Sequence, residues 1–280
     1  MPDGVAGDID RALAEDLGAG DLTATLIPAD AVAAAGIVCR EAAVLCGIPW
    51  ADGVFARVDR RVRTEWLHTD GETVSPGTEI GRLTGPARAI LTGERTALNF
   101  LQTLSGTATV TRAYVDAIAG TGCTLLDTRK TLPGLRAAQK YAVRCGGGRN
   151  HRMGLYDAML IKENHIAAAG GIAAALDEAR RNAPGRPVEI EVESLAQLEE
   201  ALDAGADWIL LDNFSLDELR RAVGLARKRS AGTGPAVRLE ASGGVDLTTA
   251  REIAATGVDF LSVGALTKHV RAVDLSLRFR

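Results

Sequence analysis

The second half of the sequence predicts an α/β fold on a parallel sheet. Three observations indicate this fold class: short apolar runs recur after Gly122, amphipathic stretches separate most of them, and both have the usual lengths of strands and helices. Strands and helices that alternate in this way form right-handed βαβ units with parallel strands. The predicted strands are 124–128, 158–161, 188–192, 208–212, 237–241 and 260–263.

Six predicted strands leave two architectures open, because a complete α/β barrel has eight. One architecture is an incomplete or irregular α/β barrel, and the other is a doubly wound open sheet. The predicted helices between the strands are 172–182, 195–204, 216–228 and 247–256.

The chain before about residue 105 has a mixed pattern of short strands and helices. Asp8 is expected to cap a first helix. A helical periodicity extends from Ala87 to Ala119, and Ser105-Gly106 is expected to divide it into two helices. Further elements are predicted at 35–45, 50–58 and 62–67.

Composition excludes several classes of protein. A net charge of −4 provides no positive field for a nucleic acid, and no apolar run approaches the roughly 18–20 residues of a membrane span. The opening Met1-Pro2-Asp3-Gly4 lacks the basic flank and apolar stretch of a signal peptide, so a cytoplasmic location is expected. The four cysteines form no Cys-x-x-Cys pair and are expected to be free thiols.

Charged and small residues stand at the ends of the predicted strands, where parallel α/β folds place their sites. Because compatible groups occur at six strand ends, we expect one functional site there. In strand order, the groups are Asp127-Thr128-Arg129-Lys130, Lys162, Glu191 with Glu193, Asp212, Ser242 and Gly264.

The cations of this set suit carboxylates and phosphates, since Arg offers a planar fork and Lys a compact charge. With so negative a chain, any anionic substrate needs such a local cluster. The basic residues near the strand ends are Arg129, Lys130, Arg152 and Lys162, with His151 beside them.

Oxygen ligands and small turn residues complete the set. Glu191 and Asp212 are ligands of the kind that Mg²⁺ takes together with waters and substrate phosphates. Ser242-Gly243-Gly244 and Val263-Gly264-Ala265 are predicted strand-to-helix turns whose backbone N–H groups can approach a phosphate. The sequence therefore predicts a site for a highly anionic, phosphorylated substrate.

Several charged residues also have a structural interpretation. Glu240 could be the buried partner of an ion pair, Lys140 could lie on a solvated helix face, and His165 could cap a helix. No His-Glu-x-x-His or Cys/His cluster indicates zinc, and no Gly-x-Ser-x-Gly motif indicates a hydrolase.

The run Asp127-Thr-Arg-Lys-Thr-Leu-Pro-Gly-Leu-Arg136 resembles the signature of the quinolinate phosphoribosyltransferase family. The likeness extends almost from end to end, and no matched functional position departs from the pattern. The other matching segments are 93–99, 140–143, 146–157, 160–165, 189–193, 211–214, 240–244 and 263–266.

This resemblance implies an N-terminal α/β sandwich domain, completed by the C-terminal tail and packed on an irregular α/β barrel. The expected domains are 1–106 with 266–280, and 107–265. The implied activity is that of a pentosyltransferase, which converts quinolinate and phosphoribosyl pyrophosphate into nicotinate mononucleotide, pyrophosphate and CO₂ in de novo NAD biosynthesis. The implied cofactor is Mg²⁺.

The resemblance also implies the residue roles. Lys130, Lys162, Glu191 and Asp212 are expected to be catalytic, and the two carboxylates to bind Mg²⁺. A homodimer is expected, in which Arg95 reaches into the partner's active site; whether dimers assemble further is left open. The expected substrate-binding residues are Arg95, Thr128, Arg129, Lys130, His151, Arg152, Lys162, Glu191, Asp212, Ser242, Gly243, Gly244, Val263, Gly264 and Ala265.

Three other functions share part of the pattern. A sister group associated with molybdenum-transport operons is similar to the family but departs around 160–165, so Lys162 favours the dicarboxylate enzyme. A Schiff-base aldolase would use Lys162 as its nucleophile, a role that suits a desolvated lysine and that borohydride trapping would reveal. A catalytically silent binding protein on the same fold is the third, and the intact set of cations and carboxylates argues against it.

Overall fold

The computed structural model of the chain describes residues 4–230 and 236–280. Within these ranges the chain forms two compact units. The first contains the chain up to Arg112, Thr131–Gly147 and Leu266–Arg280, and the second contains Ala113–Lys130 and Gly148–Ala265. None of the described helices has both the length and the apolar surface needed to cross a membrane.

Helices and strands alternate through most of the chain. The helices are α1 (Val5–Leu17), α2 (Ile48–Val58), α3 (Ala87–Ala117), α4 (Arg136–Cys145), α5 (Glu163–Ala169), α6 (Ile172–Asn182), α7 (Leu195–Asp203), α8 (Leu216–Ser230), α9 (Ala250–Ala254) and α10 (Ala265–Lys268). The strands are β1 (Val32–Cys39), β2 (Ala43–Val44), β3 (Arg63–Trp66), β4 (Thr73–Val74), β5 (Glu79–Pro86), β6 (Thr124–Leu126), β7 (Met159–Ile161), β8 (Val188–Val192), β9 (Trp208–Asp212), β10 (Arg238–Ser242), β11 (Phe260–Ser262) and β12 (Leu275–Phe279).

The C-terminal tail completes the main sheet of the first unit. β1 pairs antiparallel with β12 on one side and with β5 on the other, and β5 also pairs with β3. The sheet order is therefore β12-β1-β5-β3. This confirms the tail-completed α/β domain that the family resemblance implies.

Two local predictions in the first unit are wrong. Asp8 lies inside α1 rather than at its start, and its buried carboxylate accepts a hydrogen bond from Trp50 Nε1 at 3.0 Å. Ser105-Gly106 does not interrupt α3, which is one continuous helix. Gly106 instead permits close packing, because a Cβ there would lie 2.1 Å from the carbonyl oxygen of Arg271.

The grouping of α4 differs from the expected domain boundary. This helix follows the signature segment, yet it packs in the hydrophobic core of the first unit through Ala138 and Ala142. Lys140 on the same helix is only 1% exposed, so its interpretation as part of a solvated face is wrong. All four cysteines are free thiols, as expected.

The second unit contains a six-stranded parallel sheet in the order β6-β11-β10-β9-β8-β7. From β7 to β11 each strand lies beside the next one in sequence, and β6 then lies beside β11. A doubly wound sheet would reverse this direction part-way. Leu126 at β6 forms a parallel bridge with Arg149, which precedes β7. The sheet is therefore an incomplete barrel, and the predicted elements are confirmed with ends that shift by up to three residues.

The two faces of this sheet differ in polarity because side chains alternate along each strand. The face that carries Ile190, Ile209, Leu211, Leu239 and Leu261 is apolar and fully buried. The opposite face carries the polar side chains of the same strands. They are Glu189, Glu191, Asp212, Glu240, Ser242 and Ser262.

Candidate active site

A cavity of about 320 Å³ lies at the carboxyl ends of the strands of the second unit. It has cations, carboxylates and hydroxyl groups in its lining. Eight of the residues that the sequence assigns to the site line it, namely Thr128, Arg129, Lys130, His151, Arg152, Lys162, Glu191 and Ser242. The other lining residues are Leu160, Leu210, Glu240 and Ser262.

Hydrogen bonds to the Asp127 carboxylate hold the segment that carries His151 and Arg152. This carboxylate is fully buried and accepts hydrogen bonds from the backbone N–H of His151 at 2.9 Å and from the side-chain amide of Asn150. Asp127 directly follows β6, so the end of that strand is tied to the segment before β7. Burial and the neighbouring charge of Arg129 lower the pKa of Arg152.

Lys162 and Glu191 form an ion pair across the cavity. Lys162 directly follows β7, and its backbone N–H donates to His165 Nδ1 at 3.0 Å, so His165 caps α5 as expected. Glu191 lies on β8, and its side chain is 10% exposed whereas that of Lys162 is 42% exposed. The ends of neighbouring strands thus place a cation and a carboxylate in contact.

Asp212 stands at the end of β9 and does not line the cavity, although it is paired in register with Ser242, which does. The side-chain amide of Asn213 donates to Asp212 Oδ2 at 2.8 Å. Asn213 has a φ of 56° and is the one non-glycine residue with positive φ among residues 4–230 and 236–280. Asparagine tolerates this conformation better than most residues.

Gly243 allows the turn after β10 to approach Asn213. Gly243 has a φ of 96°, and a Cβ at this position would lie 2.1 Å from Asn213 Oδ1. The backbone N–H of Asn213 also donates to the carbonyl of Ser242 at 2.9 Å. The turns after β9 and β10 therefore fit together around one asparagine, which in turn orients Asp212.

The turn after β11 meets the segment after β6. A Cβ on Gly264 would lie 2.9 Å from Lys130 Cδ, so the missing side chain leaves space for the stem of this lysine. The backbone N–H of Lys130 donates to Thr128 Oγ1 at 3.1 Å. The other predicted residues of these turns are Val263 and Ala265, beside Gly264, and Gly244, after Gly243.

Two buried carboxyl groups lie at the cavity: Glu240 is in its lining, and Glu189 lies two residues before Glu191 on β8. Glu189 is 2% exposed and Glu240 is 0% exposed. Burial raises the pKa of Glu189 to about 7 and that of Glu240 to about 8. His151 Nε2 lies 2.7 Å from Glu189 Oε2 and 3.6 Å from Glu240 Oε2. Glu240 is buried, and its interpretation as an ion-pair partner stays a prediction.

Asn213 and Glu189 were not predicted as parts of this arrangement, and Asp127 was predicted only as a member of the strand-end group. Period-two alternation could have identified Glu189, because it lies on the same strand face as Glu191. Arg95 is an exposed residue of α3 and belongs to the first unit. The expected roles of all these residues stay predictions.

Models of one family match the chain from residue 21 to residue 278. The N-terminal domain of quinolinate phosphoribosyl transferase matches residues 21–105, and the C-terminal domain of the same family matches residues 107–278.

Curated relatives and solved structures are similar over nearly the whole chain. The nicotinate-nucleotide pyrophosphorylase (carboxylating) of Mycobacterium leprae is 47% identical over 283 residues, which cover 98% of this chain and 97% of the relative. The probable nicotinate-nucleotide pyrophosphorylase (carboxylating) of Bacillus subtilis is 42% identical over 265 residues, with 94% and 89% covered. The solved nicotinate-nucleotide pyrophosphorylase of Francisella tularensis has a TM-score of 0.95 at 48% identity, with 100% and 98% covered.

Proposed function

The chain belongs to the quinolinate phosphoribosyltransferase family, and from this premise we propose that it catalyses the reaction of that family. Quinolinate and phosphoribosyl pyrophosphate react to give nicotinate mononucleotide, pyrophosphate and CO₂, a step of de novo NAD biosynthesis. The cytoplasm, which the sequence predicts, is the proposed location. The observation that carries the proposal is that Arg129, Lys130, Arg152 and Lys162 line one cavity together with the Glu191 carboxylate.

The four cations of this cavity would bind the two carboxylates of quinolinate and part of the second substrate. A dianion and a polyanion repel each other, so holding both in one site is the main task of the protein. Arg129 and Arg152 provide planar forks for carboxylates, while Lys130 and Lys162 provide compact charges. We propose that Lys130 or Lys162 pairs with the 2-carboxylate or supplies the proton that replaces it.

The residues at the ends of β8 and β9 fit Mg²⁺. Glu191 and Asp212 are carboxylates on adjacent strands, and Mg²⁺ is usually held by one or two carboxylates together with substrate phosphates and waters. When bound, Mg²⁺ neutralises charge on the departing pyrophosphate. The same two carboxylates would stabilise the positive charge that develops on the ribose.

The chemistry follows from the order of bond changes. The pyridine nitrogen attacks ribose C1 as the bond from C1 to pyrophosphate breaks, which leaves the ring nitrogen positively charged. The bond between C2 and its carboxylate then breaks, CO₂ leaves, and the electron pair remains on C2 beside the cationic nitrogen. A proton is added at C2. Lys162 is ion-paired and 42% exposed, which argues against the desolvated nucleophile of a Schiff-base aldolase.

The turns after β10 and β11 would bind the 5′-phosphate of the ribose. Ser242, Gly243 and Gly244 offer a hydroxyl and backbone N–H groups in one turn, and Gly264 and Ala265 offer backbone N–H groups in the other. Val263 begins this second turn, and its own N–H donates to the carbonyl of Leu126 at 3.0 Å.

Gly243→Ala is expected to raise the KM for phosphoribosyl pyrophosphate by about tenfold, a factor that corresponds to about 1.4 kcal/mol. The new methyl group would displace Asn213, which orients Asp212. Gly185→Ala is the matched control, because Gly185 also has a positive φ, nothing lies within 4 Å of its added Cβ, and it precedes β8, away from the site. Steady-state kinetics on both variants should show the larger effect at Gly243, and equal effects would contradict this role of the turn.

We also propose a homodimer with shared active sites, in which Arg95 of each subunit reaches the site of the other. Arg95 is exposed, and the resemblance to the family supports this role. Mixing inactive Arg95→Ala with inactive Lys162→Met should restore about a quarter of the wild-type activity, because half of the exchanged dimers hold one intact site of two. If subunits exchange and no activity returns, each site is built from one chain.

The proposed function is tested with purified protein, phosphoribosyl pyrophosphate, Mg²⁺ and either quinolinate or nicotinate in parallel reactions. Chromatography should detect nicotinate mononucleotide from quinolinate alone, since the cavity has cations for two carboxylates. Product from nicotinate instead would indicate a transferase without decarboxylation. No product in either reaction, from folded protein, would point to the sister group and a different acceptor.

A further inference from the structure

Three polar side chains in and beside the cavity wall lie close together and have no role in the proposed mechanism. They are His151, Glu189 and Glu240. Glu189 Oε1 and both carboxyl oxygens of Glu240 are buried, and none of them accepts a hydrogen bond from the described part of the chain. Buried carboxyl oxygens without donors are costly when the group is charged, so the arrangement requires a physical explanation.

The tautomer of His151 follows from its backbone neighbour. The backbone N–H of Arg152 donates to His151 Nδ1 at 2.7 Å. A backbone nitrogen can only donate, so Nδ1 carries no hydrogen and the ring hydrogen lies on Nε2. Nε2–H then donates to Glu189 Oε2 at 2.7 Å, and the ring is neutral. His151 therefore adds no positive charge to the cavity, unlike the cations around it.

The same tautomer argues against a metal ion at this place. The ligand atoms of His151, Glu189 and Glu240 lie within 4.8 Å of one another, which is compatible with metal binding. A histidine that binds a metal through Nε2 has its hydrogen on Nδ1 and donates it to an acceptor. Here Nδ1 faces a donor, so Nε2 has no lone pair to offer.

A proton explains the unpaired oxygens. Two carboxyl groups this close in a buried place cannot both be ionised. Glu189 accepts the Nε2–H donor of His151 and is the carboxylate, whereas both oxygens of Glu240 are buried without a charged donor in the described part of the chain, so Glu240 is the neutral acid.

We propose that Glu189 and Glu240 form a buried positioning pair, which fixes the tautomer of His151 and, through it, the backbone of Arg152 in the dicarboxylate site. This inference rests on the proposed function. The neutral Glu240 leaves Glu189 as the single carboxylate that holds the ring. His151 is held at its backbone N–H by Asp127 and at Nε2 by Glu189, and it fixes Arg152 through Nδ1.

The pair is tested by two isosteric substitutions that should change the KM for quinolinate by different amounts. Glu189→Gln replaces a charge-assisted hydrogen bond with a neutral one, so the KM for quinolinate should rise by about tenfold while kcat changes by less than about threefold. Glu240→Gln replaces a neutral acid with a neutral amide, so its KM should rise far less. Glu199→Gln on the exposed side of α7 is the control for substitution as such. Equal effects at positions 189 and 240, or a larger effect at 240, would overturn the assignment.

Nitrogen-15 NMR of the wild-type protein tests the tautomer without any turnover. The four histidines give few ring signals, and loss of one set in His151→Gln identifies the residue. The expected spectrum at neutral pH has a protonated Nε2 and an unprotonated Nδ1, and the same pattern in Glu240→Gln. A protonated Nδ1 or a cationic ring would overturn the proposal. Because this spectrum does not depend on the substrate, it separates a failure of the positioning pair from a failure of the proposed function.

Discussion

Asp212→Asn is expected to lower kcat/KM for phosphoribosyl pyrophosphate by about a thousandfold, the upper range for loss of one preorganised electrostatic group. The substitution removes the negative charge that would hold Mg²⁺ and face the cationic ribose. Asparagine has the same shape and retains an oxygen acceptor for the amide of Asn213, which lies 2.8 Å from Asp212 Oδ2. The fold should therefore be unchanged, and the loss should appear in the kinetics alone.

The opposite end of β9 offers a matched control. Asp207 immediately precedes this strand and is exposed, so Asp207→Asn changes the net charge equally but far from the site. Steady-state kinetics and the melting temperature should be measured on both variants. If Asp212→Asn lost less than about tenfold, its carboxylate would have no part in metal binding or transition-state stabilisation.

Glu191→Gln is expected to lower kcat by about a hundredfold or more and yet to tighten quinolinate binding. In the substrate-free protein, the Glu191 carboxylate neutralises Lys162. Removing this charge leaves the lysine available to a dianion and also removes a repulsion between carboxylates. The dissociation constant of quinolinate alone should fall by about fivefold, which corresponds to about 1 kcal/mol for a partly exposed ion pair.

Calorimetry without the second substrate measures this effect, and a double-mutant cycle assigns it. Lys162→Met should weaken quinolinate binding, and Glu191→Gln should no longer tighten binding when combined with it. Glu193→Gln is the control, because Glu193 is exposed and lies two residues further along the same segment. If Glu191→Gln weakened quinolinate binding, the ion pair would not compete with the substrate.

The strands of the second unit could be predicted from the sequence because each is a short apolar run with clear ends. The choice between a barrel and an open sheet could not, since periodicity does not say which strands pair. The resemblance to a family supplied that choice. The prediction that Ser105-Gly106 divides α3 was wrong because glycine can either break a helix or allow close packing. Only the approach of Arg271 to Gly106 distinguishes the two.

The residues of the site could be predicted where they stand at strand ends. The contacts between their side chains could not. Arg129, Lys162 and Glu191 each follow or end a strand, so their convergence was expected. The pairing of Lys162 with Glu191 depends on which strands are neighbours, and the tautomer of His151 depends on one backbone N–H. Neither contact leaves a signal in the sequence.

The proposal that phosphoribosyl transfer precedes decarboxylation is tested most directly by measuring CO₂ together with the nucleotide. Quinolinate labelled at its 2-carboxylate is incubated with protein and Mg²⁺, with and without phosphoribosyl pyrophosphate, and labelled CO₂ and nicotinate mononucleotide are counted. We expect equal amounts of both products with phosphoribosyl pyrophosphate and no CO₂ without it, because the ring must first become cationic. Release of CO₂ without phosphoribosyl transfer, or of nucleotide without CO₂, would contradict it.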